Sequence, residues 1–75
     1  MNNLYIITNV LYDWTSGMAV ISSPSLERCR ELFFEEFDEH YESISYDSAI
    51  GKGCYQCYEN VNIPEGILQW VRGGG

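Results

Sequence analysis

The run Ser23–Glu42, SPSLERCRELFFEEFDEHYE, constrains this chain more than any other stretch. Ser23 is placed as an N-cap and Pro24 as the first helical residue, where a missing N–H costs nothing. Wound at 3.6 residues per turn, Leu26, Cys29, Phe33, Phe37 and His40 share one stripe. Glu27, Glu31, Glu35, Asp38 and Glu42 share another, with Glu39 close by. The spacing predicts one helix with a core face and an acidic face, and the rest of the chain must supply a sheet for the first of them.

The flanking segments read as strands. Leu4–Leu11 is rich in β-branched and aromatic residues, so it is expected to be strand one. Its apolar residues occupy both alternating sets, as in an inner strand with both faces partly covered. A polar loop over 12–17 ends in Gly17, and Met18–Ile21 is strand two. Ser43–Ile50 alternates and is expected to be strand three, and Gly51-Lys52-Gly53 to be a turn in which either glycine can take positive φ. Cys54–Ile63 is strand four, Pro64-Glu65-Gly66 a turn, and Ile67–Val71 an optional short last strand. The expectation is an α+β domain over 1–72, a single helix packed on an antiparallel sheet in the order β-β-α-β-β, with residues 73–75 a flexible glycine tail. Periodicity assigns Leu26, Cys29, Phe33 and Phe37 to the core, with Ile6, Val20 and either Ile44 or Tyr46 from the sheet.

Composition narrows the function classes. Seventy-five residues make one domain, and 45% hydrophobic residues with 15% aromatics make it a globular one. Four basic residues against eleven acidic ones give a net charge of −7, which disfavours direct nucleic-acid binding and favours a basic partner. No apolar run approaches membrane-spanning length, and MNNLYIITNV has neither a basic start nor a small-residue cleavage site. The three cysteines, Cys29, Cys54 and Cys57, do not form a secreted disulfide framework; free thiols in a reducing cytoplasm are expected.

Motifs that carry catalysis or metal binding are weak. Cys54 and Cys57 have C-x-x-C spacing, but Cys29 and His40, the other soft ligands, lie ~16 Å apart along one helix. In a strand the two cysteines would also point to opposite faces. His40 is the only histidine. No phosphate loop, nucleophile elbow or Ser-His-Asp constellation is present, so an enzyme, a cofactor and a metal are not expected.

The acidic stripe is the strongest unusual feature. Residues four apart on a helix rise ~6 Å, comparable with the spacing of phosphates along a nucleic-acid strand. Glu27, Glu31, Glu35, Asp38, Glu39 and Glu42 are therefore expected to contact a basic partner surface. Trp14, Tyr55 and Tyr58 are expected as aromatic anchors, on a monomer or homodimer.

Two resemblances bear on this reading. Tyr5-Ile6-Ile7-Thr8, the run Asp13–Ile21 and the glycine tail resemble small acidic phage-encoded accessory proteins of the anti-CRISPR and anti-defence inhibitor kind, in size, charge and layout. That resemblance implies a non-enzymatic inhibitor in the host-cell cytoplasm, whose acidic helix face blocks a nucleic-acid-binding surface of a defence complex. Hairpin, helix, further strands and Val71-Arg72-Gly73-Gly74-Gly75 are similar to ubiquitin-like modifiers, which implies a conjugatable tail. A homo-oligomeric structural protein is the third alternative.

Overall fold

Residues 36–41 contain neither Gly nor Pro, yet the long helix expected across them is two helices. The computed structural model describes residues 1–13, 15–38 and 40–73, without the side chains of Tyr12, Asp13 and Tyr41. In chain order the elements are β1 (Asn2–Asp13), β2 (Thr15–Ser23), α1 (Leu26–Glu36), α2 (His40–Gly51), β3 (Tyr55–Val61) and β4 (Gly66–Val71). All ladders are antiparallel and the sheet order is β3-β1-β2-β4. The class is α+β as expected. The single helix and the order β-β-α-β-β are not: the third strand is replaced by a second helix.

Helix α1 starts two residues later than expected. Ser25, not Ser23, is the N-cap, its hydroxyl accepting from Arg28 N at 3.1 Å. Ser23 precedes a proline, which favours extended backbone, so β2 runs up to it. There it is buried and donates to the Ser25 carbonyl at 2.7 Å. At the other end Phe37 leaves the helical region (φ −121, ψ 77) while its N–H still bonds Phe33 O. Cys29, Phe33 and Phe37 are buried, and Leu26 packs against that core half-buried. His40, expected on the same stripe, starts α2 and is exposed.

The segment expected to be strand three is α2 because its burial follows a helical period. Glu42, Tyr46 and Ala49, spaced i, i+4 and i+7, are all at most 2% exposed, whereas Ile44 is 56% exposed. The alternation of Ile44 and Tyr46 suggested a shared face, and the polar Glu42 hid the true one. The helix closes in a Schellman motif: Cys54 N bonds Ala49 O, Gly53 N bonds Ile50 O, and Gly53 has φ +73. The glycine turn expected between two strands is thus the C-terminal cap of a helix. The 54–63 strand shrinks to β3, whose first residue follows Cys54.

Sheet phase is opposite to the expected one. Tyr5 pairs with Ile21 and Ile7 with Ala19 beneath the helices, while Ile6 and Val20, expected in the core, pair on the other face. A one-residue slip exchanges faces, and the doubly apolar β1 could not specify its phase. Irregularities follow Thr8, with positive φ at Asn9 and Leu11, and they bury Val10 and Leu11 together. The expected 12–17 loop is mostly strand: Asp13 pairs with Thr15, and Gly17 pairs with Val10.

Phe33 is the hub of the core, with ring centroids 4.9 Å from Phe37 and 4.8 Å from Tyr46. Trp70 from β4 meets Phe37 edge-on at 5.2 Å. The optional last strand is therefore a structural edge strand. To reach it from β3, residues 62–65 cross three inter-strand spacings, ~14 Å, which five extended steps can span. Asn2 and Ser22 hold this strap by donating to Ile63 O at 2.8 and 3.0 Å.

The C-terminal segment is docked rather than free at Gly73, the first residue of the expected tail. Its N–H bonds Leu11 O at 2.9 Å and it is buried. A Cβ on Gly73 would collide with the Thr15 carbonyl, and one on Gly17 with the Val71 carbonyl, so both positions require the missing side chain. Gly74 and Gly75 lie outside the described residues.

Candidate functional site

On α1, Glu27, Glu31 and Glu35 fall at i, i+4 and i+8 and are exposed, a row ~12 Å long. Glu36 is exposed beside them, and Asp38 is exposed just past the helix end. Arg28 lies among these carboxylates, reaching Glu65 at 3.0 Å, Glu31 at 3.7 Å and Glu35 at 3.8 Å. The hydrogen bond to Glu65 is the main cause of its raised pKa. The row is thus partly compensated, but three carboxylates share one guanidinium.

Arg30 turns away to α2. Its Nε and Nη2 bond both oxygens of Asp47 at 2.9 and 3.0 Å, and its guanidinium lies 4.3 Å over the Phe34 ring. The hydrogen-bonded guanidinium holds the Asp47 carboxyl below its ordinary range. A lowered folded-state value stabilises above the unfolded pKa and is lost as pH falls through the folded one. The carboxyl of Asp47, followed by NMR, is therefore expected to titrate below a free aspartate, and Arg30→Met to return it to the ordinary range. An unchanged midpoint in that variant would mean that the fork does not persist in solution.

Glu42, expected at the end of the acidic row, is 1% exposed in the protein interior. Its Oε2 meets Arg72 Nη2 at 3.4 Å, and its buried Oε1 has no hydrogen-bond partner. The row ends before it because the chain breaks at Phe37 and restarts in a new direction.

The aromatic anchors do not join the row. Tyr55 is half-buried against the core, 6.5 Å from the Tyr5 ring. Tyr58 is 51% exposed, but it pairs with Leu4 on the sheet face away from the helices. Trp14 and Glu39 lie outside the described residues. What the periodicity missed is a cavity of about 380 Å³ where α1 meets α2, lined by Phe34, Phe37, Asp38, His40 and Ser43. No sequence signal marks it, since it exists only because the helix breaks there. Its walls combine aromatic surface with a carboxylate at the end of the acidic row, a chemistry that suits a cation.

Burial raises the pKa of the Cys29 thiol and of the Tyr46 hydroxyl, so both are inert at neutral pH. Cys54 Sγ accepts from Asn9 Nδ2 at 3.1 Å, and Cys57 is exposed on β3. Among the described residues no three His, Cys, Asp or Glu side chains are grouped to hold a metal ion, and no helix is long and apolar enough to cross a membrane. Comparison of the chain with family models, with curated proteins and with solved structures returns no match.

Proposed function

We propose that this protein acts by binding. The acidic row of α1 occupies a basic groove that otherwise holds a nucleic-acid backbone, and the cavity beyond it takes one Lys or Arg side chain of the partner. The observation that carries this reading is that the exposed row Glu27, Glu31 and Glu35 is followed by exposed Asp38, which lines a cavity together with Phe34 and Phe37. Steering by a net charge of −7 supports it. The resemblance to phage-encoded inhibitors extends the reading to a host defence complex as target, met in the reducing cytoplasm. The ubiquitin-like alternative is not favoured, because Gly73, where a conjugatable tail would have to leave the domain, is buried.

Capture from host lysate at low salt by the wild-type protein and by the triple variant Glu27→Lys/Glu31→Lys/Glu35→Lys tests the reading. The expected partner is lost by the variant, elutes from the wild type as salt rises, and loses its bound oligonucleotide when the wild type is added. The helix should survive the reversal, because these positions face solvent. A partner held equally by both proteins, with the same salt dependence, would reduce the row to a solvated face.

A further inference from the structure

The helices cover one face of the sheet; on the other, the strap held by Asn2 and Ser22 closes one end and leaves the middle open. On a one-sided antiparallel sheet the bare positions are ordinarily polar. Here they are not: Leu4, Ile6, Met18 and Val20 occupy the outward positions of the two central strands. The register extends this patch to Tyr58 on β3 and Val71 on β4, which are 51% and 53% exposed. The middle row reads Gln56–Ile6–Val20–Gln69, apolar at the centre and neutral polar at both edges. An apolar centre with a polar rim is the layout of a protein interface. A concavity of about 350 Å³ beside Ile6, Thr8 and Gln56 gives the patch relief.

We propose that this open face is a self-association surface, on which two copies of the chain pack sheet to sheet. The occupant follows from charge. The outward positions named above include no Asp, Glu, Lys, Arg or His, on a chain with a net charge of −7. A basic macromolecule finds its complement on α1 and none here, and an anionic membrane surface is repelled by the molecule as a whole. A second copy meets the face about a two-fold axis, where residues near the axis meet their own kind, so a charge-free patch is what such a contact requires. The acidic helices then lie on the outer sides of the pair. With ~10 Å between sheets and ~10 Å from each sheet to its helices, the two α1 rows stand ~30 Å apart, beyond the ~8–10 Å screening length of physiological salt.

Size sets the strength. Four strands at ~4.8 Å and about five residues at ~3.4 Å outline roughly 300–350 Å² per copy. The pair buries roughly 700 Å², below the ~1,200 Å² of stable interfaces, so the dimer is a reversible one that forms at high concentration. Its two outward rows would make the molecule bivalent, although the self-contact stands whether or not α1 has a partner.

Sedimentation from about 5 µM to 1 mM tests this, alongside concentration-dependent amide shifts of the wild type. The wild-type mass is expected to rise towards twice the monomer value, with shifts at Leu4, Ile6, Met18, Val20 and Tyr58 and not on α1. Val20→Glu and Val20→Lys should each weaken the dimer at least tenfold, and an equimolar mixture of the two should recover it through opposite charges. A wild-type protein that is monomeric at 1 mM overturns the proposal. So do Val20→Glu dimers as strong as the wild type's, or shifts confined to the β4 edge or the helices. Should both Val20 variants fail to fold, the wild-type shift map decides the matter alone.

Discussion

Phe33→Ala is expected to remove a large share of the molecule's stability. Phe33 is fully buried and its ring meets those of Phe34, Phe37 and Tyr46, so alanine leaves a void among three aromatics that cannot all close over it. Such truncations cost about 3–5 kcal/mol. A chain of this length has roughly 4–11 kcal/mol of stability in total. Each kcal/mol moves the melting temperature of a domain this small by roughly 4–8 °C, so a fall of at least ~12 °C should appear in a thermal melt followed by circular dichroism. Ile44→Ala is the control. At 56% exposed it should change stability by less than about 0.5 kcal/mol. Equal losses at Phe33 and Ile44 would restore a strand at residues 43–50, because only a strand puts Ile44 and Tyr46 on one buried face.

Glu42→Lys should be nearly as damaging, although the same change at Glu31 should be benign. The carboxylate of Glu42 is 1% exposed and paired with Arg72; lysine there buries a cation without a counter-charge and beside a guanidinium. Breaking a buried pair from one side costs about 3–5 kcal/mol. Arg72→Ala, which leaves the buried carboxylate alone, should cost less than that, since Arg72 is 38% exposed and water can partly replace it. Glu42→Leu is the informative partner: it removes the charge and the orphaned Oε1 together, and should be tolerated far better than lysine. Denaturant midpoints for the three variants and for Glu31→Lys give the comparison. If Glu42→Lys is as mild as Glu31→Lys, the carboxylate faces water and the acidic row is longer than three residues. The same experiment guards the binding test, because a reversal that includes Glu42 would lose binding with the fold.

The periodicity of residues 26–36 was legible in the sequence, and so was the strand character of 4–11 and 18–21, because local propensity and burial agree there; the strand pairing of 12–17, read as a loop, was not. Cys29, Phe33 and Phe37 are in the core for that reason, and Glu27, Glu31 and Glu35 face water for the same one. Where local signals were degenerate, packing decided. The doubly apolar β1 fits the helices with either face, and the choice of Tyr5 and Ile7 over Ile6 was made by packing, in the same core that buries Val10 and Leu11. A continuous helix to Glu42 would run ~30 Å; the chain instead turns at Phe37 so that Tyr46 and Ala49 can cover β1 while Phe33 covers β2. That turn carried Glu42 from the acidic row into the interior and opened the cavity beside Asp38. The sequence by itself therefore determined the class of the domain, the charge of its helix and the residues able to fill its core. Only the tertiary structure decided where the helix breaks, which sheet face the helices leave uncovered and which carboxylate is buried, because each of these depends on contacts between segments that are far apart in the chain.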